Sequence, residues 1–272
     1  MVIDDVNEAL QVSCGEEREN FEKVYGSSNE NLKELFQFFS VREKDVLTVL
    51  ASSDHFFYAL SLGARTIDTF DQNPLTKYYY YLRRWLLLYR KEFYLPKKAF
   101  RNENYLEDLL DDVHPEDEEE KMSLQFWKTY LKKATPKIHE GLYCSSPIGS
   151  KNKLSHIDFL RERLCAVHPT FYPFDLFGEV VSFKQYDIII TSNILEYGIN
   201  SMRLCRCEEN LKSLLRPGGE IISSRFASSW KSDLFRLEQG IFMEDFDFLE
   251  FIPERKSPFS KEESLGYSYQ KR

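Results

Sequence analysis

Glycine is scarce in this chain, at 11 of 272 residues, or about 4% against a usual ~7%. No G-x-G-x-x-G segment occurs, and no lysine follows a glycine-rich turn. Both absences argue against a cofactor held by its pyrophosphate, because such loops spend glycines where backbone must approach phosphate. Long apolar runs are missing too. The most apolar stretch, Trp85 to Tyr89, is flanked by Arg84 and Arg90, so no transmembrane segment is predicted. Met1 to Asn20 carries neither a basic region nor an apolar core and does not read as a secretory signal. The five cysteines are odd in number and scattered, which argues against a disulfide framework. Cys205-Arg206-Cys207 has no second pair to complete a zinc site, so no metal is expected. The expected location is the cytoplasm.

What is abundant is acidic and aromatic residues. Lys and Arg number 36 against 44 Asp and Glu, a net charge of −8, and aromatic residues make up 15%. An acidic chain without a basic patch is a poor nucleic-acid binder, since phosphate contacts are driven by cations. Nucleic acid is therefore not an expected partner.

The order of elements predicts parallel α/β winding. Asp45 to Leu50 reads as a buried strand, Phe56 to Leu62 as a helix closed near Gly63, Thr66 to Phe70 as a second strand, and Leu75 to Tyr94 as a long helix stopped by Pro96. Later come a strand at Gln185 to Thr191, a helix at Cys205 to Leu215, and a turn at Arg216 to Gly219 leading into a strand at Glu220 to Ser224. Phe246 to Ile252 and Ser264 to Gln270 read as an antiparallel pair at one sheet edge. Residues 1–40 are expected to form a helical amino-terminal extension to a domain over 41–272, and residues about 97–165 a mostly helical insertion of a kind often found over a ligand edge. The acids Glu116 to Glu120 suit the first turn of a helix there.

In an open parallel sheet, ligands bind beyond the carboxyl ends of the strands. Ala51, Ser52, Ser53 and Asp54 follow the first strand; Asp71, Gln72 and Asn73 follow the second. Asp71 lies 20 residues after Ala51 (71 − 51), the separation at which an acid on the neighbouring strand reaches a ribose diol. Capping of the next helix is the plainer role for the same residue. A nucleoside cofactor without phosphates needs no glycine cradle, and S-adenosylmethionine, as co-substrate, meets that description.

Asp45 to Asp54, Gly63-Ala64 and Asp71-Gln72-Asn73-Pro74 resemble the first two motifs of class I S-adenosylmethionine-dependent methyltransferases, and Leu214 to Gly219 resembles their turn before the fifth strand. Within that superfamily, the D-x-N-P form, the serine loop ending in an acid, and Ser192-Asn193-Ile194-Leu195-Glu196-Tyr197 look most like the betaine-lipid-synthase-type 3-amino-3-carboxypropyltransferases and their bacterial relatives. Tyr25 to Asn31 is similar to a segment ahead of the first strand in those relatives. The usual glycines of the first motif are missing.

The resemblance implies a Rossmann-like, mostly parallel seven-stranded sheet and transfer of a 3-amino-3-carboxypropyl or methyl group to a small-molecule or lipid-like acceptor. Asp71 would bind ribose, Ala51 to Asp54 the methionine moiety, and Asp175 would lie near the adenine. Asn193 would face the sulfonium and acceptor with Tyr197 nearby, while Tyr25, Asn29 and Asn31 would close the site. Plainer roles stay open: a turn cap for Asp175, a helix cap for Asn29, core packing for Tyr197. Arg83, Arg84, Arg90 and the Lys151–Lys153 loop leave an anionic acceptor open. A non-catalytic cofactor- or partner-binding protein of the same fold is the alternative. Oligomeric state is not readable.

Overall fold

The computed structural model describes residues 32–36, 39–73, 75–92, 104–133, 157–180, 184–197, 200–226, 238, 240–242, 245–253 and 264–272. Seven strands form one sheet: β1 (Asp45–Val49), β2 (Thr66–Phe70), β3 (Phe171–Tyr172), β4 (Tyr186–Ser192), β5 (Leu215–Phe226), β6 (Phe246–Pro253) and β7 (Ser264–Lys271). Their order is β3-β2-β1-β4-β5-β7-β6. The first five run parallel, and β7 is antiparallel to both β5 and β6. This is the mostly parallel, seven-stranded α/β architecture expected. The two tail strands are paired as expected, but β7 inserts between β5 and β6 rather than ending the sheet.

Alternation along the strands builds two cores. Val46, Ile188, Ile190 and Ile222 face one apolar cluster; Leu47, Val49, Ile189 and Ile221 face another on the opposite side. Successive strand side chains point to opposite faces, so strands apolar at every position must be covered on both. The first face carries α1 (Leu32–Leu35), α2 (Asp54–Ser61), α3 (Leu75–Trp85), α4 (Tyr105–Asp111), α5 (Glu118–Lys133) and α6 (Ile157–Ala166). The second carries α7 (Ser201–Leu214), with residues of β6 and β7.

Helix α3 is buried on nearly every side, including Tyr78, Tyr79, Tyr80 and Tyr81, as an apolar helix beside an inner strand should be. It ends sooner than its sequence pattern suggested. A single π-helical turn runs from Leu86 to Arg90, and Lys91 is left-handed. The third strand is only two residues long, and just past it the Phe174 N–H turns back to the Tyr172 carbonyl. In the described part of the insertion, α5 packs on α3 and α6 on α2. Trp127 Nε1 donates to the Tyr78 carbonyl at 2.8 Å, Phe126 stacks on Tyr78, and Glu120 pairs with Arg84. The acids at the start of α5 act as caps: Asp117 Oδ1 accepts the Glu120 N–H, and Glu120 Oε2 accepts the Glu116 N–H.

At the amino edge of the sheet, Arg216 bridges Asp45 and Asp187. Arg65 hydrogen bonds lead in holding the Asp45 carboxyl far below the usual range, despite partial burial. Two of the few glycines are spent here. Gly218 has φ 74, and a Cβ on Gly219 would lie 3.0 Å from the Arg216 carbonyl.

Candidate functional site

The chain winds from β1 outward to β3 and then crosses to β4, so β1 and β4 are neighbours from opposite halves of the sheet. Parallel α/β sheets open a crevice at such a switch point, beyond the carboxyl ends of the strands. Thr48 is level with both Thr69 and Ile190, so the loops after β1, β2 and β4 leave the sheet at one height.

Those loops hold backbone that L-residues avoid. Ala51 has φ 39, Ser53 φ 67 and Ser192 φ 54. Left-handed backbone costs a residue with a Cβ about 1–2 kcal/mol relative to glycine-like freedom. Three of the five described non-glycine residues with positive φ therefore sit at the carboxyl ends of β1 and β4, where glycine would be the unstrained choice. Such strain concentrates at functional sites.

Asp71 ties the first two loops together. Its Oδ2 accepts the Ala51 N–H at 2.9 Å and its Oδ1 accepts the Asn73 N–H at 2.8 Å. Each carboxylate oxygen keeps further acceptor capacity beyond these bonds. Burial pushes the Asp71 carboxyl up to about 6, against the Asn73, Ala51 and Thr76 hydrogen bonds that lower it. Asn73 caps α3, its Oδ1 accepting the Leu75 N–H at 3.0 Å and its carbonyl the Thr76 hydroxyl at 2.7 Å. The capping role weighed for Asp71 thus falls to Asn73, leaving Asp71 to brace the loop. Gln72 between them is exposed.

Ser52, Ser53 and Asp54 are all buried. Ser53 Oγ has no hydrogen-bond partner among the described residues. Asp54 turns inward and meets Arg83 of α3 at 2.5 Å, with both side chains fully buried. The same guanidinium donates to the Ser52 carbonyl and lies over the Phe57 ring, 5.1 Å from its centre. Arg84 pairs with Glu120 and is also buried. Neither arginine is open to an anionic acceptor, which corrects the expectation for both. The Tyr- and Leu-rich helix signals burial of both arginines, but not which acids they meet. Arg90 is at the surface beside Asp112, and Lys151–Lys153 lies outside the described residues.

Asn193 follows Ser192 at the end of β4 and is partly buried; Ser192 Oγ lies 3.5 Å from Asn193 Oδ1. Ser223 of β5 braces this end by donating to the Ser192 carbonyl at 2.8 Å, a support that sequence reasoning missed. Tyr197 ends the 3-10 turn Ile194–Tyr197. Asp175 is engaged in a turn, its Oδ1 accepting the Phe177 N–H at 3.0 Å, and its Oδ2 lies 3.4 Å from Arg203 of α7. The turn-cap role for Asp175 is thus present. Tyr25, Asn29 and Asn31 lie outside the described residues. Direct hydrogen bonds at this edge therefore join Ala51, Asp71 and Asn73, with Ser52 and Ser53 in the same loop and Asn193 on the adjacent strand end.

The chain matches no protein-family model and no curated protein. Among solved structures, 215 chains match it. The N-methyltransferase NodS from Bradyrhizobium japonicum WM9, in complex with S-adenosyl-L-homocysteine, is 10% identical over 98% of this chain and 99% of its own, with a TM-score of 0.41. A TehB-like SAM-dependent methyltransferase from Corynebacterium glutamicum is 10% identical over 97% and 94%, with a TM-score of 0.44. A methyltransferase from Pyrococcus furiosus is 7% identical over 88% and 80%, at 0.43.

Proposed function

We propose that this chain is an S-adenosylmethionine-dependent group transferase acting on a small-molecule or lipid-like acceptor. The main support is Asp71: a carboxylate at the switch-point edge, braced by the Ala51 and Asn73 N–H groups, with acceptor capacity left for a vicinal diol. The donor set fits this cofactor. No phosphate cradle is formed by the loop, and Ser53 Oγ is a buried hydroxyl without a partner among the described residues.

In this reading Asp71 accepts the ribose hydroxyls, Ala51 to Ser53 line the methionine end, and Asn193 orients the acceptor. Asp54 serves the loop from within rather than touching the ligand. Tyr25, Asn29, Asn31, Gln72, Asp175 and Tyr197 complete the proposed set on resemblance. When bound, S-adenosylmethionine supplies a sulfonium whose neighbouring carbons are electrophilic. The protein's work is then to align a nucleophile and exclude water, and orientation of this kind can lower a barrier by about 7–11 kcal/mol. A general acid of unusual strength is not required.

The branch resemblance favours 3-amino-3-carboxypropyl over methyl transfer. A product assay separates the two: methylthioadenosine marks the former, S-adenosylhomocysteine the latter. Cofactor binding with neither product across a panel of amine and lipid acceptors would favour the non-catalytic alternative.

A further inference from the structure

The loop after β1 is strained and has no glycine to relieve it. Left-handed backbone at a residue with a Cβ is disfavoured by roughly five- to thirtyfold, and Ala51 and Ser53 both adopt it within one short loop. Something outside the loop has to hold it. On one side the Asp71 carboxylate takes the Ala51 N–H. On the other, the Arg83 guanidinium takes the Ser52 carbonyl and the Asp54 carboxylate, bracketing Ser53.

A purely stabilising role explains this arginine poorly. Buried ion pairs seldom outperform well-packed apolar residues, because both charges lose their water. The guanidinium also reaches the amino terminus of α2, where the helix dipole disfavours a cation. What the arginine gains there is the Ser52 carbonyl, one residue before the left-handed Ser53. The helix that carries it opens at Asn73, itself bonded to Asp71. One helix thus ties the ribose-side acid to both ends of the first loop.

We propose that Arg83 is the positioning residue of the cofactor loop: clamped to Ser52 and Asp54, it holds Ala51–Ser53 in the conformation that receives the methionine end of the cofactor. It does by a buried charge what glycine would do by backbone freedom. The inference rests on the reading of this edge as an S-adenosylmethionine site, and it assigns Arg83 no contact with the ligand.

The test is a thermodynamic cycle. The paired change Arg83→Met with Asp54→Asn removes the clamp without leaving a charge stranded, and it is made both with Ser53 present and with Ser53→Gly. Calorimetry with S-adenosylmethionine is run on protein that unfolds cooperatively. If losing the clamp leaves about a tenth of molecules loop-competent, Kd rises about tenfold. After Ser53→Gly the same paired change is expected to cost about threefold or less, because glycine makes the left-handed state cheap. Equal losses in the two backgrounds, or no loss in either, overturn the proposal. A merely structural pair would move the unfolding midpoint and leave Kd unchanged.

Should the paired variant not fold, Arg83→Lys, which keeps the charge but ends one bond short of the Nη1 that meets both Ser52 and Asp54, is carried through the same cycle with the same expectation. Amide hydrogen exchange at Ala51 and Ser53 in ligand-free protein supplies the separate readout. Loss of protection on removing the clamp is expected, and unchanged protection overturns the proposal whether or not the parent protein binds S-adenosylmethionine. Absence of binding by the parent protein overturns the cofactor reading instead.

Discussion

Replacing Ser53 with glycine is expected to make the protein more stable, although it deletes a fully buried side chain. The residue sits at φ 67, and its hydroxyl has no hydrogen-bond partner among the described residues. Relief of the left-handed strain returns about 1–2 kcal/mol. Removing a buried unsatisfied hydroxyl returns about 1–3 kcal/mol more. Against this, glycine loses about 0.5–1 kcal/mol of extra backbone entropy on folding, and the buried carbon about 0.8 kcal/mol. The balance is a gain on the order of 1 kcal/mol, or a rise of about 2–4 °C in Tm for a chain near this size. The control is the same chemical change inside α2. Ser61 Oγ donates to the Tyr58 carbonyl at 2.8 Å in helical backbone, so Ser61→Gly should cost about 1 kcal/mol in propensity and hydrogen bonding. Urea denaturation of both variants measures the contrast. A Ser53→Gly variant that loses about 1 kcal/mol or more, as Ser61→Gly should, would refute the strain argument.

Further outcomes are expected. Because burial raises the Asp71 carboxyl to about 6, the folded protein binds its proton more tightly than the unfolded chain. Its contribution to stability therefore falls as pH rises from about 4 to 6, and the ionised carboxylate that the proposed ribose contact needs forms around pH 6. Calorimetry should show Kd for S-adenosylmethionine about tenfold weaker at pH 5 than at pH 7, and Asp71→Asn should flatten that dependence. Arg84→Met leaves Glu120 buried without its cation and should cost about 3–5 kcal/mol in urea denaturation. Arg90→Met, at an ion pair whose Asp112 side chain is 57% exposed, should cost under about 1 kcal/mol.

The strands of the inner sheet were legible because buried parallel strands are short, apolar and β-branched, and Ile188-Ile189-Ile190 fits that pattern without ambiguity. Asp71 was legible because its distance along the chain from Ala51 reflects two neighbouring strands joined by one helix. The insertion of β7 between β5 and β6 was not, since either order of two antiparallel tail strands satisfies the same alternation of residues. The roles of Arg83 and Arg84 were hidden for another reason. Their partners Asp54 and Glu120 lie 29 and 36 residues away (83 − 54, 120 − 84) on other elements, and a lone sequence does not record which long-range charges meet. The scarcity of glycine was visible at once, but its cost was not. Only the backbone angles at Ala51, Ser53 and Ser192 show that the chain adopts glycine-like turns without glycine.

The central claim is that S-adenosylmethionine binds at the carboxyl edge of the sheet through Asp71. Calorimetric titration of the parent protein and of Asp71→Ala at pH 7 tests it most directly. Saturable heat in the parent, weakened at least about tenfold by the loss of a charge-assisted hydrogen-bond acceptor worth about 1.5–3 kcal/mol, is the result expected. Absence of heat in the parent, or equal affinity in the two folded proteins, would contradict it.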